Sequence, residues 1–138
     1  MLFFRKYGFE AEVVPGISSV FAAPAVASIA VTHRGAADQI LVLTGHDRKN
    51  NLPSLPPYSA KRTCVFLMAS DRLGDLKDVL VEQGFPADCP AAIVEKATWP
   101  EQRTFHGTIS TLADIVVEHK VTSPATVIVG GSVASLVQ

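Results

Sequence analysis

Residues 63–68 (TCVFLM) form a run of strand length without a single charge and without polar alternation. A strand with one wet face alternates with a period of two, so a strand apolar throughout is covered on both faces. That requirement dictates a layered molecule with helices above and below a sheet. The flanking sequence can supply them. In 71–83, Leu73, Leu76, Val79 and Leu80 recur at helical spacing, and Gly84 stops the helix. Further strands are expected at Gln39–Thr44 (QILVLT), 91–96, 103–109 and 126–129. Further helices are expected from Ser18 or Ser19, which can cap, to about Ser28, and from a Ser110 cap to His119. Leu2–Lys6 reads as the last turn of a helix stopped by Gly8, residues 1–10 as the end of a linking helix, and 11–14 as a short strand. Residues 47–58 are a loop, since Pro53, Pro56 and Pro57 forbid a regular element. Strands 91–96 and 103–109 follow each other closely around residues 99–102, which predicts an antiparallel hairpin. The expected fold is therefore α/β, a mixed β-sheet flanked by helices, in one domain spanning 1–138.

Composition narrows the functional classes. A formal net charge of −1 over 138 residues leaves no basic footprint for nucleic acid or an anionic membrane. The longest apolar stretch, 17–31, contains Pro24 and is shorter than the roughly 20 residues that cross a bilayer. Met1-Leu2-Phe3-Phe4 runs straight into Arg5-Lys6, which is not a signal-peptide pattern. Cys64 and Cys89 have no CxxC partner and no His at metal-ligand spacing, so they read as two reduced thiols of a cytoplasmic protein. GxGxxG, GxxxxGK[ST] and GxSxG are all absent, which excludes the Rossmann, P-loop and nucleophile-elbow readings.

Five blocks remain. Val14-Pro15-Gly16-Ile17-Ser18-Ser19 is a Pro-Gly corner leading into a helix start, where free backbone N–H groups gather. Thr32-His33-Arg34-Gly35 places a permanent cation in a loop, and Thr44-Gly45-His46 ends a strand. Met68 closes the apolar run. Residues 92–103 (AIVEKATWPEQR) form a strand, a turn and the start of the next strand, and Ser123-Pro124-Ala125-Thr126 opens the last one. Taken singly, each has a plain structural reading. Ser18 can be an ordinary cap, Met68 core filler, and Glu101 with Arg103 a surface ion pair.

In this order, the blocks resemble the tetrapyrrole methylases, and most of all the branch that acts on uroporphyrinogen III on the way to sirohaem. The loop at 47–58 is similar to that of fungal members. The resemblance covers nearly the whole chain. It implies the C-terminal domain of the tetrapyrrole (class III) methylase fold, which binds S-adenosylmethionine in a cleft between two domains and releases S-adenosylhomocysteine. It implies that Pro15, Ser18, Ser19, Met68, Ala97, Pro124, Ala125 and Thr126 meet the cofactor. Arg34 and Arg103 would meet the carboxylates of a tetrapyrrole substrate. His33 and Asp38 read as structural, and Trp99 as cover for the cleft mouth or the hairpin. Methyl transfer to carbon needs alignment and charge neutralisation, and no catalytic base stands out. Family members pair as homodimers.

This sequence departs from the family pattern in two ways. Ala97 stands where many relatives have Gly. The Gly-x-Gly-Pro-Gly-Asp and Gly-Gly-Asp loops of the family's N-terminal domain are missing. The expectation is a C-terminal portion that binds cofactor weakly alone and does not turn over. Two alternatives stay open at this point: another methylase of the same fold (precorrin methyltransferase or diphthine synthase type), or a non-catalytic dimerising domain.

Overall fold

The computed structural model describes residues 1–49 and 51–135. Its elements, in order, are α1 (Leu2–Lys6), α2 (Ser19–Val26), β1 (Gln39–Thr44), β2 (Arg62–Leu67), α3 (Leu73–Glu82), β3 (Pro90–Glu95), β4 (Arg103–Thr108), α4 (Leu112–His119) and β5 (Ala125–Val129). Short 3-10 turns cover Ser70–Arg72 and Gly131–Ala134. The five strands form one sheet in the order β1-β2-β5-β3-β4. Only β1 and β2 are parallel; the other three pairings are antiparallel. The mixed sheet and the β3–β4 hairpin are as the sequence predicts.

The apolar run of β2 is covered on both faces. Cys64 and Phe66 join Leu76, Leu80, Ile93, Leu112, Val127 and Val129 in one core beneath α3 and α4. Val65, one residue out of phase, joins Val20, Ala23, Ile29, Ala92, Val94 and Ile128 beneath α2. The period of two in β2, β3 and β5 thus divides their side chains between two cores. Burial drives both cores, at about 1.5–3 kcal/mol for each fully buried large apolar side chain.

Three local expectations need correction. Residues 11–14 form no strand: among the described residues no segment pairs with them, and Glu12, Val13 and Val14 are exposed. An isolated strand leaves its backbone groups without partners, so local β-preference alone does not hold one. Ser110 does not cap α4. The N-cap is Thr111, whose hydroxyl turns back to the Thr108 backbone and accepts from its N–H at 2.9 Å. The third concerns Arg103, whose partner is Glu95 across the hairpin (2.6 Å) and not Glu101. Elsewhere the stop signals hold, with Gly8 at φ +79° and Gly84 at φ +83° closing α1 and α3. No residue of α1 is buried, and its Phe3 ring packs on Phe4 and Tyr7. Among the described residues, no helix is long and apolar enough to cross a membrane.

Candidate functional site

Strand direction gathers one end of β2, β3 and β5 into one place. In the register Leu67 faces Thr126 and Val94 faces Thr126, so the ends of β2 and β3 flank the start of β5. The N-terminus of α2 stands above this end. A cleft of about 470 Å³ opens there, lined by Ser19, Leu67, Met68, Ser70, Val94, Ala97, Ser123, Pro124, Ala125 and Thr126. That volume lies within the range of small-molecule sites.

Six of the eight residues expected to meet a cofactor line this cleft: Ser19, Met68, Ala97, Pro124, Ala125 and Thr126. The other two do not. Ser18 is the N-cap of α2, accepting from the Val20 N–H at 3.3 Å, and Pro15 is exposed ahead of it. The cleft combines an apolar floor with four hydroxyls, and among the described residues no charged side chain lines it.

Its rim is made of unusual backbone. Met68, Lys96 and Thr98 have φ of +55°, +47° and +71°, just beyond β2 and β3. Each left-handed non-glycine residue costs about 1–2 kcal/mol, and such residues concentrate at ligand sites. Nothing in the sequence signals them, because none is glycine. The Thr44-Gly45-His46 block explains how Met68 is held. Gly45 N–H donates to the Leu67 carbonyl, and the His46 Nδ1 sits 3.1 Å from the Met68 carbonyl oxygen. A Cβ on Gly45 would overlap the Met68 carbonyl oxygen and Ala69. Met68 is left 61% exposed at the cleft, where it contributes little to the core.

The other wall hangs on a buried carboxylate that the sequence reading missed. Glu95 is only 1% exposed. Its Oε1 accepts from the Thr122 N–H (2.7 Å) and hydroxyl (2.8 Å), and its Oε2 accepts from Arg103 Nε (2.6 Å). The Arg103 hydrogen bond, helped by Thr122 against the opposing effect of burial, holds the Glu95 carboxyl at about 2. The antiparallel register that pairs Glu95 with Arg103 was the available signal. Trp99 is exposed on the hairpin turn and does not line the cleft.

Arg34 lies elsewhere. With Thr32, His33, Gly35, Ala37, Asp38 and Lys61 it lines a polar recess of about 510 Å³. The 32–37 turn is closed by His33 and Ala37, each donating its backbone N–H to the other's carbonyl. Asp38 and Lys61 precede β1 and β2, whereas Gly45 and Met68 follow them. Six-residue strands at 3.3 Å per residue separate recess and cleft by roughly 20 Å. Among the described residues no three metal-ligating side chains converge, and Cys64 and Cys89 are free and buried.

Comparison with known proteins decides the family. The family model described as Tetrapyrrole (Corrin/Porphyrin) Methylases matches residues 1–113. The chain belongs to the tetrapyrrole methylases. Among curated members, it is 46% identical over 118 residues to a probable uroporphyrinogen-III C-methyltransferase of Schizosaccharomyces pombe, covering 86% of this chain and 23% of that protein. It is 40% identical over 136 residues to the uroporphyrinogen-III C-methyltransferase of Saccharomyces cerevisiae, covering 99% of this chain and 23% of that protein. The chain therefore spans about a quarter of the length of these relatives. A solved uroporphyrin-III C-methyltransferase of Thermus thermophilus, in complex with S-adenosylhomocysteine, superposes with a TM-score of 0.83 at 31% identity. It covers 97% of this tetrapyrrole methylase chain and 56% of that protein. A cobalt precorrin-4 methyltransferase shares the fold at a TM-score of 0.83 and 23% identity.

Proposed function

We propose that this chain forms one wall of the S-adenosylmethionine cleft of a cytoplasmic uroporphyrinogen-III C-methyltransferase. The observation that carries the reading is the convergence of Ser19, Met68, Ala97 and the 124–126 segment, from four separate elements, on one uncharged cleft. An apolar floor with hydroxyls at its edge suits an adenosyl group, whose ring is apolar on its faces and whose ribose takes hydrogen bonds. The soft thioether of Met68 suits a place beside that ring and a sulfonium. The amino-acid end of the cofactor carries an ammonium and a carboxylate, and it must find its partners outside this wall.

When bound, the cofactor supplies an electrophilic methyl group. The residues of this chain orient the donor and exclude water, and none is assigned as a base. For the tetrapyrrole we keep Arg34 as the contact for peripheral carboxylates, a reading supported only by its permanent charge and its polar recess, which lies roughly 20 Å from the cleft. The exposed aromatic residues Phe3, Phe4, Tyr7 and Phe9 favour an additional association role, as in a homodimer.

Ultraviolet cross-linking tests the reading. A protein extended to the length of the solved relatives is irradiated with methyl-labelled S-adenosylmethionine and its peptides are mapped. Label on the peptides carrying Met68, Ala97 or residues 123–126 is the expected result. Label confined to other peptides would reject the cleft.

A further inference from the structure

We propose that Glu95 and Arg103 are positioning residues for this cleft: their ion pair sets where residues 122–124 stand against the ends of β2 and β3. Glu95 uses both oxygens on three donors, Arg103 Nε and the N–H and hydroxyl of Thr122. Arg103 donates a second time, from Nη1 to the His119 carbonyl at 3.1 Å, and so ties in the end of α4. Its guanidinium also lies 5.2 Å from the centre of the Phe105 ring, which stacks on His119. Beyond Thr122 the chain enters the cleft directly. The Ser123 and Ser70 hydroxyls are 3.0 Å apart, and the Pro124 carbonyl accepts from the Lys96 N–H at 2.8 Å. One carboxylate at the end of β3 is thereby linked to the 122–124 segment, whose Ser123 and Pro124 line the cleft with Ala97.

The chemistry demands a carboxylate. All three groups facing Glu95 are donors, so an amide at this position would set an NH₂ against another donor. Because Glu95 is buried, that mismatch is not relieved by water. Arg103 in this arrangement acts through Glu95, which differs from the substrate contact implied by family resemblance. The effect on binding rests on the cofactor reading, whereas the local coupling does not.

The test has two arms. In the first, amide hydrogen exchange is followed by NMR on this chain and its Glu95→Gln variant. We expect the Thr122 and Lys96 amides to exchange about tenfold faster while Val65 and Ile128, in the central strands, keep their protection. Equal loss across the sheet, or no loss at Thr122 and Lys96, would overturn the coupling. In the second arm, Arg103→Gln is placed in the extended protein. We expect its Kd for S-adenosylhomocysteine to rise about tenfold with the substrate KM unchanged, and Arg103→Lys to recover only part of the loss, since an ammonium keeps the charge on Glu95 but not the guanidinium fork. A raised KM with unchanged Kd would make Arg103 a substrate clamp and overturn the proposal, as would no change in either. Failure of the unsubstituted extended protein to bind S-adenosylhomocysteine would sink the cofactor reading, and the exchange experiment would still decide the coupling.

Discussion

The His46 imidazole Nδ1 lies 3.1 Å from the Met68 carbonyl oxygen, joining the second residue after β1 to the first residue after β2. A hydrogen bond here requires the tautomer protonated at Nδ1. Met68 is in a left-handed conformation, and this contact, with the backbone of Gly45 pressed against it, keeps it there. A sequence block that looks like a binding motif thus acts first as a brace for the cleft rim.

Gly45→Ala is expected to destabilise the chain by about 1–3 kcal/mol, because its Cβ would meet backbone atoms that cannot move aside. Urea denaturation measures this as a lower midpoint at unchanged slope. A variant as stable as the parent would show that the brace is not tight.

Met68→Ala separates fold from site. The residue is 61% exposed, so stability should change by no more than about 0.5 kcal/mol. In the extended protein, the affinity for S-adenosylhomocysteine should fall about tenfold. Unchanged affinity would remove Met68 from the site.

The Glu95 carboxyl sits at about 2 in the folded chain, against an ordinary value of 4.5. A folded-state value below the unfolded one stabilises fully above the unfolded value and is lost as pH falls. The stability gap between the parent and Glu95→Gln should therefore hold from pH 7 to about 5 and close between about pH 5 and 2. Urea midpoints across that range measure it. A gap independent of pH would contradict the ionised pair.

Burial pushes the Cys64 and Cys89 thiols up to about 11. Neither should react with a disulfide reagent at pH 8 while the chain is folded, and both should react in denaturant. Rapid labelling of the folded chain would show that these residues open locally.

The layered architecture was legible because β2 has no polar phase and α3 has a clean apolar stripe. Both are local patterns that burial on two faces requires. Residues 11–14 misled because a short β-prone stretch does not reveal whether a partner strand exists. Of the cleft lining, positions 19, 68, 97 and 124–126 were legible through their order along the chain, whereas Pro15 and Ser18 were expected there and do not line it. The positive φ values of Met68, Lys96 and Thr98 were not, since tertiary contacts impose them on residues with no such preference. Glu95 escaped notice for a related reason. Its three donors come from two other segments, and Glu101, closer in sequence, looked like the simpler partner for Arg103.

Calorimetric titration with S-adenosylhomocysteine, of this chain and of a protein extended to the length of the solved relatives, tests the central claim most directly. The account predicts binding to the extended protein and weak or no binding to this chain, because the cleft offers the amino-acid end of the cofactor no charged partner. Equally tight binding to both would contradict it, and would mean that these residues hold the whole cofactor by themselves.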